Sequence, residues 1–188
     1  MKNKYLLFLL PVVLGCLPTM GQRLLISDLF KSAPSHFFPY LSNNEKLDML
    51  DFAALNMTTE VTNELDGKSS ILMLTDSYLK MKLSRASLVE MRLLPVGEKC
   101  DSMLLCVVTT LGDSVPQESK VEFFNCSWHP LSIDVGYTPL SQHSMVAHLS
   151  SDDTHLTCRS VSLLPRDSDE TTEVEEEKVL KWTGEDYK

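Results

Sequence analysis

The sequence has little glycine and few basic residues, and it lacks the loops that bind phosphate groups. Only 7 of its 188 residues are glycine, and none of them stands in a phosphate-cradling motif. Its 17 Lys and Arg residues stand against 26 Asp and Glu residues, which gives a net charge of −9. A nucleic-acid backbone needs a basic patch, and an anionic membrane surface attracts basic segments. We therefore expect no cofactor, no nucleic-acid partner and no anionic-membrane partner.

The motifs that identify nucleophilic or zinc-dependent enzymes are also absent. There is no G-x-S-x-G turn, no S-x-x-K sequence accompanied by its partner motifs and no C-x-x-C pair. One group of metal-ligating residue types is close in sequence: His143, His148, His155 and Cys158. The spacing of its histidines fits no single helical face, which favours polar loop residues over metal ligands. A small hydrolase or metal-dependent enzyme that uses residues 143–158 remains the alternative hypothesis.

Long apolar runs are missing except for one near the N-terminus. Lys2 and Lys4 precede ten apolar residues at 5–14, a run too short to span a bilayer. This arrangement predicts a cleavable signal peptide over residues 1–21, with cleavage between Gly21 and Gln22. Because residues 13–16 read VLGC, a loose lipobox, lipidation of Cys16 is the alternative. In both cases the mature chain is exported and has no transmembrane span.

Loss of the signal peptide leaves four cysteines, at positions 100, 106, 126 and 158. An even number of cysteines in an exported protein permits two disulfides. Cys106 and Cys126 lie on two segments that we expect to pair as strands, and we predict a disulfide between them. Buried free thiols are the alternative, since cysteine is often a small core residue.

The N-terminal part of the mature chain has helix signals. Ser27 or Asp28 is placed to cap a short first helix, and Pro34 ends it. Ser42 and Glu45 form the capping box of a second helix. A stripe at helical spacing is expected to be the buried face of that helix; it consists of Leu47, Leu50, Ala54, Met57 and Val61.

From about residue 70 onward the apolar pattern has a period of two. Leu79, Met81 and Leu83 alternate with lysines, which is typical of a strand with one solvent-exposed face. Residues 103–110 are rich in apolar and β-branched types and predict a central strand, with residues 121–128 as its partner. We expect an α+β fold in which N-terminal helices pack on a mostly antiparallel meander of five to seven strands. Residues 22–188 then form a single domain with an exposed acidic segment near 167–177.

Several short segments resemble a known family. They are DLF at residues 28–30, PYL at 39–41, LDMLDF at 47–52, NELDGKS at 63–69, LT at 74–75, YL at 78–79 and WHPL at 128–131. Together they are similar to a family of exported proteins of unknown function from Bacteroidales, over about residues 28–131. The resemblance implies the periplasm or the outer surface of a Gram-negative bacterium. It offers no catalytic residues to carry over.

The leading functional hypothesis is therefore an exported cell-envelope protein without catalytic activity. Such a module binds an unknown envelope protein or ligand through its sheet or its loops. The hypothesis rests on the export signal, the acidic balance and the lack of site motifs.

Overall fold

A computed structural model describes residues 23–97, 102–113, 117–139, 143–162 and 177–188. The predicted signal peptide lies outside the described residues, and with it Cys16, Gly21 and Gln22. Cys100 and residues 167–176 of the acidic segment lie outside them as well. The predictions made for those positions stay predictions.

Two short helices open the described chain, α1 (Ile26–Ser32) and α2 (Asn43–Ala54). The predicted capping box of α2 is confirmed. Glu45 donates its backbone N–H to Ser42 Oγ at 3.3 Å, and Ser42 donates its own N–H to Glu45 Oε2 at 2.6 Å. These two bonds satisfy amide groups that an open helix end would leave unpaired.

The predicted cap of α1 is wrong. The helix begins at Ile26, so Ser27 and Asp28 already lie inside its first turn, and Leu25 occupies the N-cap without a side-chain hydrogen bond. Burial of Ile26 fixes the start of the helix instead. The helix does end before Pro34, as predicted, because proline disfavours helical geometry in the residue before it.

The buried face of α2 differs from the predicted stripe. The helix buries Met49 and Leu50 together with the aliphatic stem of Lys46, whose Nζ donates to the Ala33 carbonyl at 3.1 Å. This contact with the end of α1 turns the face carrying residues 46, 49 and 50 inward. The members of the predicted stripe that are exposed are Leu47, Ala54 and Met57.

Seven strands follow and form one antiparallel sheet in sequence order. They are β1 (Val61–Thr62), β2 (Lys68–Leu74), β3 (Tyr78–Ser84), β4 (Ser87–Val96), β5 (Ser102–Leu111), β6 (Glu118–Asn125) and β7 (Pro130–Leu131). The predicted meander is confirmed. A turn at Asp66-Gly67 joins β1 to β2, and Asp66 has a φ of +57° there. Leu79, Met81 and Leu83 are buried as their alternation predicts.

A second, three-stranded sheet was not expected. It has the order β10-β9-β8 and consists of β8 (His143–Leu149), β9 (His155–Ser162) and β10 (Glu177–Lys181). The helices pack on one face of the large sheet, with Leu93 and Leu105. The small sheet contributes Leu156 and Leu180 to a second core, which includes Leu94 of the large sheet. The fold is thus α+β in three layers.

The large sheet is covered on both faces, and this explains why β4 and β5 are buried almost throughout. Along β4, Val89 and Met91 face the helices, while Glu90 and Leu94 face the small sheet. In the described part of the chain, no helix has the length and apolar character needed to cross a membrane.

Candidate functional site

The predicted metal candidates do not converge. His143 opens β8, whereas His155 opens β9 and places its Nδ1 2.7 Å from the carboxylate of Asp153. Cys158 is fully buried in the core between the sheets. Within the ranges that the structure describes, no three His, Cys, Asp or Glu side chains are grouped as metal ligands. The described residues of 143–158 therefore do not form the alternative metal site.

His148 has a different partner, the buried carboxylate of Glu90. Its Nδ1 lies 3.2 Å from Glu90 Oε2, and the same oxygen accepts from the Leu149 backbone N–H at 3.4 Å. The other carboxylate oxygen accepts from the Tyr78 hydroxyl at 2.7 Å and lies 3.1 Å from Lys80 Nζ. Only 1% of Glu90 is exposed. We call these five residues the Glu90 cluster.

Electrostatics in the Glu90 cluster favour a charged carboxylate. Burial alone raises the pKa of Glu90, but hydrogen bonds from His148 and Tyr78 and the charge of Lys80 outweigh burial, and the pKa lies below its ordinary value. Burial and the bond to Glu90 raise the pKa of the Tyr78 hydroxyl, so that this group stays a donor.

The Glu90 cluster connects the large sheet to the small one. Beside it, Arg92 donates to the carbonyls of Ser151 at 2.7 Å and Ser150 at 3.4 Å, in the turn after β8. Both Glu90 and Arg92 thus hold the small sheet against β4. Paired buried charges of this kind fix geometry, and their loss is costly.

The one sequence signal for this cluster is the occurrence of Glu90 and Arg92 inside an apolar strand. The identity of their partners could not be read from the sequence, because His148 lies 58 residues further along the chain.

A groove lies at the other side of the molecule, between the end of α2 and β2. It encloses about 230 Å³ and is lined by Ala53, Asn56, Met57, Thr58, Ile71, Leu72, Met73 and Leu74. Small-molecule pockets usually enclose about 300–1,000 Å³. The groove is therefore matched in size to a few side chains of a larger partner.

A bulge in β2 brings two exposed apolar side chains to the wall of the groove. The pairing of β2 with β3 shifts register between Ile71 and Met73. This breaks the inward–outward alternation, and both Leu72 and Met73 become exposed, at 44% and 41%. A regular strand would have turned one of them away.

Exposed apolar side chains are frequent in the part of the chain that forms this groove. Six of the nine exposed large hydrophobic residues in the described ranges fall between positions 47 and 73. We call these six the β2 patch: Leu47, Leu55, Met57, Leu65, Leu72 and Met73. Three of the six, Met57, Leu72 and Met73, line the groove together, and adjoining exposed apolar side chains at a groove favour an interaction site there.

Residues 22–163 match the family described as "Protein of unknown function (DUF3256)". The chain belongs to this family. This match confirms the prediction that the chain belongs to a family of unknown function. A solved structure of a domain of an uncharacterized protein from Porphyromonas gingivalis W83 has the same fold: the TM-score is 0.68 at 18% identity, over 86% of this chain and 96% of that one. Comparison with curated proteins gives no match.

In this DUF3256 protein the predicted disulfide is not formed. Cys106 points into the core between the two sheets, whereas Cys126 packs on the helix side of the large sheet. Both thiols are free, and Cys126 Sγ lies 3.1 Å from the Met103 carbonyl. The two segments do pair as strands, but the register places Cys106 opposite Phe123. The disulfide prediction rests only on the expectation that the two segments are neighbouring strands. It does not take into account which face of the sheet each cysteine occupies.

Proposed function

We propose that this DUF3256 protein is an exported, non-catalytic module that binds a partner through the β2 patch. The observation that carries the proposal is the set of three exposed apolar side chains that line the groove, Met57, Leu72 and Met73. Burial of such a surface by a partner removes apolar area from water and favours association. The polar Glu90 cluster, in contrast, is already saturated by its own neighbours.

Crosslinking in the native cell tests the partner role. A photoreactive amino acid in place of Leu55, which is 68% exposed, should give a discrete adduct. The same replacement at Val179, 53% exposed on the small sheet, is the matched control. An adduct at Leu55 that disappears when Leu72 is changed to Ser supports the proposal. Equal adducts at both positions, or none at Leu55, would contradict it.

Export is a separate element of the proposal, and it rests on the sequence of residues 1–21. Mass spectrometry of the native protein should find Gln22 at the N-terminus, or a lipid-modified Cys16 if the lipobox is used. We place the protein in the periplasm or on the outer surface of a Gram-negative bacterium. A chain that keeps Met1 and fractionates with cytosolic proteins would refute this location.

A further inference from the structure

The backbone of β2 is unpaired along most of its outer edge. Strand β1 pairs only with Lys68 and Ser69, although β2 continues to Leu74. Among the described residues, no backbone hydrogen bond joins the outer edge of residues 70–74 to another segment. An open edge of this kind is a template for one more strand. Five residues of extended chain provide about 17 Å of edge.

The groove and the open edge belong to the same surface. Ile71, Leu72, Met73 and Leu74 line the groove and also form the part of β2 that lacks a neighbour. A strand added there gains main-chain hydrogen bonds from the edge. Its side chains alternate in direction, so every second one faces the apolar wall.

Most of the exposed charges in residues 48–68, the segment that leads into β2, are negative. Between positions 48 and 68 the exposed acidic residues are Asp48, Asp51, Glu60, Glu64 and Asp66. The only exposed basic residue in that stretch is Lys68. Lys46 is buried and donates to α1, and Lys31 beside it is paired with Asp28. On β3, the half-buried Lys80 is paired with Glu90, and the half-buried Lys82 lies opposite Ser70 of β2. Complementary charge in a partner steers association and excludes wrong partners.

From these observations we propose that the β2 patch binds an extended, cationic polypeptide segment, which adds as a strand to the outer edge of β2. The inference rests on the proposed function and specifies its partner. The segment alternates apolar residues, which fill the groove, with Lys or Arg residues, which meet the acidic rim. An acidic partner or an anionic lipid surface would be repelled by that rim.

A second copy of this chain is disfavoured by the same charges. Edge-to-edge pairing about a two-fold axis brings identical surfaces together. The exposed acids near β2, Glu60 and Glu64 among them, would then face their own copies. Like charges in juxtaposition oppose such a dimer.

Synthetic peptides test two parts of the inference separately: binding by strand addition, and the positive charge of the bound segment. The probe is a short fluorescent peptide of alternating lysine and leucine, and binding to the full chain is followed by anisotropy. A glutamate–leucine peptide tests charge. A lysine–leucine peptide N-methylated along one edge tests strand addition, since it keeps the side chains but loses the main-chain donors. We expect only the unmodified lysine peptide to bind, and its affinity to fall with rising salt.

Variants of the protein locate the site. Leu72→Ser with Met73→Ser should weaken binding at least about tenfold, and Asp51→Asn with Glu60→Gln should weaken it several-fold and flatten the salt dependence. The matched controls are Val179→Ser and Glu118→Gln, exposed positions on other strands. They should leave the affinity unchanged. Because a variant of β2 can misfold, the N-methylated peptide gives an answer on the unaltered protein.

Three results would overturn the inference: equal binding of the glutamate peptide, undiminished binding of the N-methylated peptide, or binding that the control variants weaken as much as the patch variants do. Binding of neutral lipid vesicles in place of the peptide would overturn it as well. In each case an adduct specific to Leu55 in the cell leaves the proposed binding role intact. Absence of that adduct would remove the proposed function, whatever the peptides do.

Discussion

The Lys80 ammonium and the Glu90 carboxylate lie 3.1 Å apart on directly paired positions of β3 and β4. The Lys80 side chain is 32% exposed, while that of Glu90 is 2% exposed. The ion pair therefore connects the protein surface to a buried charge. His148 and Leu149 of β8 contact the same carboxylate, so the Glu90 carboxylate also attaches the small sheet to the large one.

Glu90→Gln should lower the free energy of unfolding by about 3 kcal/mol at neutral pH. The substitution keeps the size of the side chain but removes the charge that Lys80 and the Tyr78 hydroxyl require. Urea denaturation followed by circular dichroism measures the difference. Glu118→Gln, at an exposed position of β6, is the control and should change stability by less than about 0.5 kcal/mol. Equal effects of the two substitutions would show that the buried charge does not stabilise the fold.

The contribution of Glu90 should depend on pH in one direction. Its pKa is lower in the folded protein than the ordinary 4.5 of an unfolded chain. The folded state therefore binds this proton less tightly, so the contribution is fully present above the unfolded pKa and is lost as pH falls through the folded pKa. The stability difference between the natural protein and Glu90→Gln should shrink as the solution is acidified below about pH 4.5. A difference that stays constant to about pH 2 would contradict the lowered pKa.

Ser42→Ala should cost about 1 kcal/mol of stability, because it removes the oxygen that accepts from Glu45 N–H. Asn44→Ala, an exposed position in the first turn of the same helix, is the matched control. It removes no capping bond and replaces asparagine with a better helix former. Thermal unfolding of both variants measures the contrast. If the two substitutions have the same effect, the capping box does not stabilise α2.

Much of the large sheet could be predicted from the sequence, because its signals are local. Leu79, Met81 and Leu83 alternate with lysines, and the Asp66-Gly67 and Arg85-Ala86 pairs mark turns at the ends of strands. Sequential strands joined by short turns pair as neighbours. These rules are sufficient to give the meander and its order.

The faces of the elements could not be predicted in the same way, because tertiary contacts decide them. Leu47 fits an apolar stripe of α2 and yet is 46% exposed, since Lys46 reaches the end of α1 and sets the rotation of the helix. The same is true of the cysteines: the register of β5 with β6 and the layers packed on either side show that Cys106 and Cys126 occupy opposite faces of the large sheet.

The candidate site depends on features that no short pattern contains. The exposure of both Leu72 and Met73 results from the register shift in β2, which pairing with β3 imposes. The open edge results from the shortness of β1, Val61–Thr62. The acidic residues between positions 48 and 66 are visible in the sequence, but their meaning depends on the groove beside them.

Trp128→Phe should destabilise the attachment of α1 to the large sheet. The indole Nε1 donates to the Leu29 carbonyl at 3.2 Å, and the ring packs against Phe37 and Phe124. Phe keeps part of the ring contact but loses the donor, and the loss should be about 1–2 kcal/mol. Trp128 also holds a φ of +63°, a strained value for a bulky residue that its packing must offset. His129→Ala, an exposed neighbour, should change the melting temperature little.

Thiol labelling of the native protein separates the cysteines by their environments. Cys106 and Cys158 are fully buried, and burial raises both of their pKa values, that of Cys158 to about 11. Few of these thiols are thiolates near neutral pH, and the thiolate is the form that iodoacetamide alkylates. Burial also raises the pKa of Cys126, but this thiol is only half-buried and stays accessible. It should therefore react before Cys106 and Cys158, which react only after denaturation. Peptide mapping under non-reducing conditions should find no fragment that joins Cys106 to Cys126. Recovery of that joined fragment would show that the two cysteines do not occupy opposite faces of the sheet, and the register of β5 with β6 would then have to differ from Cys106↔Phe123.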